Sequence, residues 1–167
     1  RMKIYLIGMP GSGKTTLGKR VASELQLDFV DLDHEIELRE QKSISEIFSQ
    51  SGEDHFRKLE SAVLHELAAS VRSFVMATGG GAPCFLGGID VINDTGISIF
   101  LDQSLDELVK RSGKETHRPL LQAQDADQLR DKLESLLTPR LPIYRKAQFT
   151  LRNPTAKTIL EKVSFRK

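Results

Sequence analysis

The chain has 167 residues, 39% hydrophobic and 28% charged, which is enough for one globular domain with a sizeable core. A formal net charge of +1 argues against a dedicated nucleic-acid surface, and no apolar run is long enough to cross a membrane. The single cysteine, Cys84, excludes an intramolecular disulfide and fits a reducing compartment. With no secretory signal ahead of Met2, we expect a cytoplasmic protein.

Residues 8–15, GMPGSGKT, match the phosphate-binding pattern G-x-x-x-x-G-K-[ST] at every fixed position, and we call them the phosphate loop. The apolar residues 2–7 predict a buried strand before the loop, and residues 15–25 carry apolar side chains at helical spacing after it. Glycines let successive N–H groups turn towards an anion, and the helix N-terminus adds further donors. The pattern therefore predicts a nucleotide site in which Lys14 contacts the β- and γ-phosphates and Thr15 binds Mg²⁺.

Strands and helices alternate along the rest of the chain. We predict strands at residues 29–33, 74–78, 97–101 and 148–152, and helices at residues 34–41, 44–50, 53–70, 105–112, 125–147 and 155–163. Pro139 and Pro142 are expected to interrupt the helix at 125–147, and the polar, cationic residues 113–125 to form a mobile surface loop. This order predicts an α/β fold with a mostly parallel five-stranded sheet and helices on both faces.

Ligands bind at the carboxyl ends of the strands in such a sheet. Asp31 and Asp33 end the second predicted strand, and residues 79–81, which we call the glycine turn, follow the third. Alternate strand residues share a face, so one carboxylate would lie near Mg²⁺ and the other near an acceptor hydroxyl. Two acids at the start of a helix, where the dipole favours them, are an equally good interpretation. The glycine turn indicates either close approach of a ligand or a plain flexible turn.

Four basic residues complete the candidate set. Arg57 lies three residues before Glu60 and shares its helix face, either as a surface ion pair or as part of an acceptor site. Arg118 lies in the predicted loop, where it is placed to neutralise transferring phosphates. Solvated helix faces would also explain Arg111 and Arg140.

These motifs together resemble the shikimate kinase family over nearly the whole chain. The resemblance rests on residues 8–15, 31–33 (DLD), 52–60 (GEDHFRKLE), 78–81 (TGGG), 118–121 (RPLL) and 140–144 (RLPIY). Many NTPases share the phosphate loop, whereas GExxFRxxE and RPLL are far more specific. The resemblance implies a single P-loop kinase domain of the nucleoside-monophosphate-kinase type, residues 1–167, with a substrate-binding region at about 33–61 and a lid at about 113–125. It implies transfer of the γ-phosphate of ATP to the 3-hydroxyl of shikimate, with Mg²⁺, in the chorismate pathway of aromatic amino acid biosynthesis.

The same resemblance implies a role for each matched position. Those implied for ATP are Gly11, Ser12, Gly13, Lys14, Thr15, Thr16, Arg111, Arg118 and Pro154. Those implied for shikimate are Asp33, Phe48, Phe56, Arg57, Gly79, Gly80, Gly81 and Arg140. Asp33 is the implied base, with Lys14 and Arg118 as the other catalytic groups, and Asp31 reaches the metal through water. Arg57 and Arg140 would clamp the carboxylate, and we expect a monomer that binds neither nucleic acid nor membrane.

Two alternatives stay open. A gluconate kinase of similar build would share the fold and the phosphate loop, because gluconate also carries a carboxylate and hydroxyls. The block around Arg57, together with Arg140, favours shikimate. A nucleotide-dependent binding module without phosphotransfer would lack an acceptor pocket, so convergence of Asp33, Arg57 and Gly80 on one pocket would argue against it.

Overall fold

The computed structural model describes residues 2–115 and 123–165. The strands are β1 (Lys3–Ile7), β2 (Asp28–Asp31), β3 (Phe74–Ala77), β4 (Ile97–Asp102) and β5 (Phe149–Arg152). The helices are α1 (Lys14–Leu25), α2 (Leu32–Glu40), α3 (Ile44–Ala69), α4 (Gly88–Thr95), α5 (Leu105–Glu115), α6 (Ala123–Tyr144) and α7 (Ala156–Phe165), with a 3-10 helix at Ala82–Cys84. Among these residues, no helix has both the length and the apolar character needed to cross a membrane.

The five strands form one sheet in the order β2-β3-β1-β4-β5, and every neighbouring pair is parallel. Side chains alternate between two apolar cores: Tyr5 and Ile7 face one, and Ile4 and Leu6 face the other. The first core packs against α3, α4 and α6, and the second against α1 and α7. The predicted α/β fold with helices on both faces is therefore confirmed, and the sheet is wholly parallel.

Three local predictions were wrong, and one helix was missed. The strand predicted at 29–33 ends at Asp31, because that residue caps α2 and the chain turns into a helix. Helix α6 continues through Pro139 and Pro142 without interruption. Residues 113–115 and 123–124, predicted as loop, are helical, and the residues between them lie outside the described part of the chain. Helix α4 was not predicted at all.

Candidate active site

The phosphate loop joins the end of β1 to the start of α1. Gly8, Gly11 and Gly13 have φ values of 154°, 81° and 103°, in a region that residues with a Cβ rarely adopt. The buried Gln103 side chain donates from Nε2 to the Ser12 carbonyl oxygen over 3.2 Å, which ties the loop to the end of β4. The loop thus has the backbone shape that turns N–H groups towards an anion at a helix N-terminus.

Lys14 lies at the centre of this loop. Its Nζ donates to the carbonyl oxygen of Gly8 and, over 3.4 Å, to that of Met9. The residue is half-buried, and desolvation of its ammonium group lowers the pKa of Lys14 to about 8. Asp33 and Asp31 oppose the shift and Arg140 adds to it, so Lys14 is within electrostatic reach of groups from α2 and α6.

A cavity of about 170 Å³ connects the phosphate loop with the acids and the glycine turn. Its lining residues are Pro10, Gly11, Lys14, Thr15, Asp31, Asp33, Ala77, Thr78, Gly79 and Gly80. Thr15 and Thr16 are exposed in the first turn of α1. Residues far apart in sequence therefore meet at the carboxyl ends of β1, β2 and β3, where parallel sheets bind ligands.

Asp31 and Asp33 both line this cavity, but not for the reason predicted. Asp31 is the N-cap of α2, where its Oδ1 accepts from the backbone N–H of His34 over 3.2 Å. Asp33 lies in the first turn of α2, so the argument from alternate strand residues was wrong and the helix-start interpretation holds. Burial raises the pKa of the Asp33 carboxyl, as does the nearby Asp31, while Lys14 opposes the shift.

Arg57 lies on α3, after a break in the helical geometry at Gly52, where φ is 82°. Its Nη1 donates to Glu60 Oε1 over 3.0 Å and its Nη2 to Glu53 Oε2 over 3.3 Å. Arg57 is only 9% exposed and Glu60 only 2%, so the ion pair exists but does not lie on the surface. Burial raises the pKa of Glu60, and Arg57 opposes that shift. The guanidinium also stacks on Phe85, with 4.1 Å from Cζ to the ring centroid.

The glycine turn lies where the site side chains meet. None of its three residues has a φ in the left-handed range, so they are not required for backbone conformation. Each instead leaves room for a different side chain. A Cβ on Gly79 would lie 2.7 Å from Asp33 Oδ1, one on Gly80 would lie 2.9 Å from Arg140 Nη1, and one on Gly81 would lie 2.7 Å from Arg57 Cζ. The turn is therefore not a plain flexible loop, because side chains of the site occupy the space beside each glycine.

Other predicted acceptor residues surround this turn. Arg140, on α6, hydrogen-bonds the hydroxyl of Tyr144, which in turn donates to the carbonyl oxygen of Gly80. Phe48 and Phe56 on α3 form a ring pair with centroids 4.8 Å apart. Phe56 is buried and Phe48 half-buried.

The predicted adenine-side residues lie beyond the phosphate loop. Arg111 Nε donates to Glu107 Oε1 over 3.0 Å, and its Nη1 would lie 3.1 Å from a Cβ on Gly13. Pro154 is buried after Asn153, which has a φ of 48°. A cavity of about 510 Å³ beside this turn is lined by Asp102, Ser104, Arg152 and Asn153. Arg118 and most of the predicted lid lie outside the described residues.

Sequence reasoning assigned no role to several residues that shape the site. Tyr144 follows Arg140 by one helical turn, so its spacing could have placed both on one face. Glu60 was considered only as a surface partner of Arg57. Phe85 and Gln103 gave no signal, because their contacts join segments distant in sequence.

Comparison with known proteins agrees with this geometry. The family model described as shikimate kinase matches residues 10–164. A shikimate kinase of Parabacteroides distasonis is 40% identical over 149 residues, covering 89% of this chain and 86% of that protein. The crystal structure of a shikimate kinase from Bacteroides thetaiotaomicron superposes with a TM-score of 0.86 at 36% identity, over 99% of this chain and 97% of that one.

A second solved structure, shikimate kinase from Acinetobacter baumannii in complex with shikimate, superposes with a TM-score of 0.85 at 35% identity, over 99% of this chain and 94% of that one. The range matched by the family model includes residues 10–15 of the phosphate loop, the acids at the start of α2, the buried arginine of α3 and the glycine turn. The chain therefore belongs to the shikimate kinase family.

Proposed function

We propose that this protein transfers the γ-phosphate of ATP to the 3-hydroxyl of shikimate, giving shikimate 3-phosphate and ADP. The observation that carries the proposal is the convergence of Asp33, Arg57 and Arg140 on the glycine turn, beside the phosphate loop. A nucleotide-binding module has no need of a carboxylate and two arginines around one turn beside its phosphate loop. The reaction belongs to the chorismate pathway of aromatic amino acid biosynthesis.

The phosphate loop holds ATP in this proposal. Backbone N–H groups between Gly11 and Thr16, Ser12 included, surround the β- and γ-phosphates, and the N-terminus of α1 contributes its dipole. Lys14 stabilises the charge that spreads over the equatorial oxygens of the transferring phosphoryl group. Because phosphates favour the ammonium form, bound ATP raises the pKa of Lys14 from its value of about 8.

Mg²⁺ fits the residues at the loop. The hydroxyl of Thr15 and the carboxylate of Asp31 line the same cavity. Among the described residues, no group of three or more His, Cys, Asp or Glu side chains forms a protein-only metal site. That suits Mg²⁺, which keeps several waters and binds through few protein ligands plus phosphate oxygens. Thr15 would hold the ion directly and Asp31 through water, and the ion would neutralise phosphate charge.

Asp33 is the proposed base for the attacking hydroxyl. It must be within reach of that hydroxyl and unprotonated at working pH. Burial raises the pKa of Asp33, which makes its carboxylate a better proton acceptor than a solvated aspartate, while Lys14 opposes that rise. Asp33 can then accept the proton as the oxygen–phosphorus bond forms.

Arg57 and Arg140 are the proposed carboxylate clamp. Glu60 holds one edge of the Arg57 guanidinium and is almost fully buried, so this pair stays intact when substrate binds. The pair with Glu53 is different, because the Glu53 side chain is 56% exposed. A substrate carboxylate can replace Glu53 and form a bidentate pair with Arg57. Phe48 and Phe56 would form the wall against the ring, and the glycine turn, Gly79 to Gly81, would offer backbone contacts.

The remaining assignments belong to the same proposal. Arg118 would cover the phosphates from a lid, and Arg111 and Pro154 would lie on the adenine side. The enzyme would act as a monomer with one kinase domain. It would work in the cytoplasm, a reducing compartment that the single cysteine fits.

A panel of hydroxylated acids, including shikimate and gluconate, tests the proposal when each is offered with ATP and Mg²⁺. ADP release and the ³¹P spectrum of the product would be measured. We expect phosphorylation of shikimate at the 3-hydroxyl, and the Asp33→Asn variant as control should lose turnover while still binding ATP. Preference for gluconate would identify the alternative kinase. ATP binding without phosphorylation of any acceptor would indicate a binding module.

A further inference from the structure

The chain has two tyrosines, and both are fully buried. The Tyr5 hydroxyl hydrogen-bonds Thr95 Oγ1 over 2.8 Å, and Thr95 donates its own proton to Val91, so Tyr5 is the donor. This pair lies between β1 and the end of α4, among residues with no role in the proposed site. Tyr144, in contrast, belongs to the surroundings of the proposed site, because its hydroxyl contacts the glycine turn.

The Tyr144 hydroxyl joins two parts of the acceptor site. It accepts from the side chain of Arg140 and donates to the Gly80 carbonyl oxygen over 2.5 Å. Its ring packs on Phe100 of β4, with centroids 5.1 Å apart, which anchors the phenol on the sheet. A hydroxyl that accepts from a cation is a stronger donor, so the bond to Arg140 strengthens the bond to Gly80. Burial raises the pKa of Tyr144 to about 12, so the hydroxyl keeps its proton at every working pH.

This contact determines which way one peptide group points. The peptide between Gly80 and Gly81 is trans, so its C=O and N–H point in opposite directions. With the carbonyl directed at Tyr144, the Gly81 N–H is directed away from it. A Cβ on Gly81 would lie 2.7 Å from Arg57 Cζ, so this end of the peptide is next to the guanidinium of the proposed carboxylate clamp. A peptide flanked by two glycines is among the easiest to flip, because neither residue has a Cβ to restrict its dihedral angles.

We propose that Tyr144 is a positioning residue that fixes the Gly80–Gly81 peptide with its N–H towards the acceptor pocket, and that links this orientation to Arg140. The inference rests on the proposed function, since it assumes that the pocket binds shikimate. Tyr144 acts through the peptide and the arginine and does not itself touch the substrate. Without its hydroxyl, the peptide samples both orientations and binding must select one.

The test compares Tyr144→Phe with the matched control Tyr5→Phe. Each variant removes one buried, hydrogen-bonded hydroxyl and leaves the ring. A neutral hydrogen bond contributes about 0.5–1.5 kcal/mol, so Tyr144→Phe should raise the KM and Kd for shikimate roughly two- to tenfold. Its KM for ATP and its kcat should stay within about twofold of the unsubstituted protein. Tyr5→Phe should change neither KM.

Thermal unfolding of both variants separates positioning from general stability. If Tm falls by a similar amount in both variants but only Tyr144→Phe raises the KM for shikimate, the proposal is supported. A shikimate KM within twofold of the unsubstituted value, or equal losses for ATP and shikimate, would overturn it. If the unsubstituted protein does not phosphorylate shikimate, the proposed function fails instead, and the two failures are thus distinguishable.

A second measurement uses the unsubstituted protein and does not depend on how the variant folds. The chain has 12 glycines, so ¹⁵N-glycine labelling gives a short list of amide signals. Shikimate should shift the Gly81 amide signal, while the Gly87 signal, from an exposed loop, should not move. An unchanged Gly81 signal at saturating shikimate would contradict the proposal.

Discussion

Gly11 and Gly13 of the phosphate loop have φ values of 81° and 103°, whereas no residue of the glycine turn has a φ in that range. In the loop, glycine is required for a conformation that the other residues rarely adopt. In the turn it is required for space, because Asp33, Arg140 and Arg57 fill the positions of the missing Cβ atoms. Glycine is therefore required for different physical reasons in these two similar segments.

The difference extends to how each half of the site is built. The nucleotide half comes from one contiguous strand-loop-helix unit, and the phosphate ligands that we propose for it are backbone N–H groups. The acceptor half draws side chains from α2, α3 and α6 around the glycine turn. Substitutions in the nucleotide half should weaken ATP binding or lower turnover. Substitutions in the acceptor half should weaken shikimate binding.

The largest expected effect is that of Lys14→Met. Loss of the cation at the transferring phosphoryl group should lower kcat by roughly 10²- to 10³-fold or more. The folded pKa of Lys14 lies below the unfolded one, so its charge destabilises the fold, fully so below pH 8 and less as pH rises towards 10.5. We therefore expect a Tm at least as high as that of the unsubstituted protein.

Lys157→Met is the matched control, because Lys157 is exposed on α7, away from the site. Its turnover should equal that of the unsubstituted protein. A folded Lys14→Met variant with near-normal kcat would refute the phosphate role of the lysine.

Arg57→Ala should have the largest effect on the acceptor half. Loss of charged hydrogen bonds worth about 1.5–3 kcal/mol each should weaken shikimate binding roughly ten- to a hundredfold or more, measured by calorimetry. ATP binding should barely change. Arg57→Lys should rescue poorly, because an ammonium cannot contact Glu60 and a carboxylate in a fork. Arg57→Ala should also be less stable than the unsubstituted protein, because it leaves the buried Glu60 carboxylate without its ion-pair partner.

Two controls accompany this variant. Arg72→Ala removes an exposed arginine, paired with Asp28, and should leave both ligands unaffected. A neutral amide analogue of shikimate should bind the unsubstituted protein much more weakly than shikimate, and this difference should shrink in Arg57→Ala. Equal differences in both proteins would mean that Arg57 does not recognise the carboxylate.

Three alanine substitutions test directly whether glycine is required for space or for backbone conformation: Gly81→Ala, Gly13→Ala and Gly87→Ala. In Gly81→Ala the new Cβ must displace the Arg57 guanidinium, so the KM for shikimate should rise about tenfold, because small misplacements of a binding group are costly. In Gly13→Ala the positive φ is strained by about 1–3 kcal/mol, which should lower Tm and weaken ATP binding. Gly87 has a φ of 73° and no neighbour within 4 Å of a Cβ, so Gly87→Ala should lower Tm alone.

The three variants should therefore separate in a plot of Tm against the two KM values. If Gly81→Ala behaved like Gly87→Ala, space at the glycine turn would not matter for the acceptor.

The contrast between the halves also explains what the sequence could predict. The phosphate loop is local, so its motif, strand and helix are all visible within residues 2–25. The parallel sheet follows from the alternation of elements. Asp33 was identified as a site residue by motif, but its placement on a strand was wrong, because the capping of α2 by Asp31 outweighs the apolar, β-branched character of the preceding residues.

The acceptor half depends on long-range contacts that no local pattern contains. The sequence shows Arg57 three residues before Glu60, but not that α3 buries both. It shows three consecutive glycines, but not that three different side chains fill the space beside them. The family resemblance implied binding roles for Arg57 and the glycine turn, whereas neither the resemblance nor the spacing predicted the burial and packing that position them.

The smallest expected effect, and the sharpest test of the two halves, is pH dependence. The free protein has Lys14 with a pKa of about 8, and only its cationic form suits ATP phosphates. Activity limited by ATP binding should therefore fall as pH rises. The protonated fraction for such a pKa predicts roughly an eightfold fall in kcat/KM for ATP between pH 7.5 and 9.

The two substrates should give different alkaline profiles. With ATP saturating, phosphates keep Lys14 protonated to higher pH, so kcat/KM for shikimate should lack the fall centred near pH 8. On the acid side both profiles should fall as Asp33 is protonated, at a higher pH than for an ordinary aspartate, because burial raises its pKa. Asp33→Asn should abolish that acid fall together with most turnover, and Lys157→Met should reproduce both parent profiles. Identical alkaline falls for ATP and shikimate would mean that Lys14 does not titrate as a member of the nucleotide half, because a group that ATP contacts must change its pKa when ATP is bound.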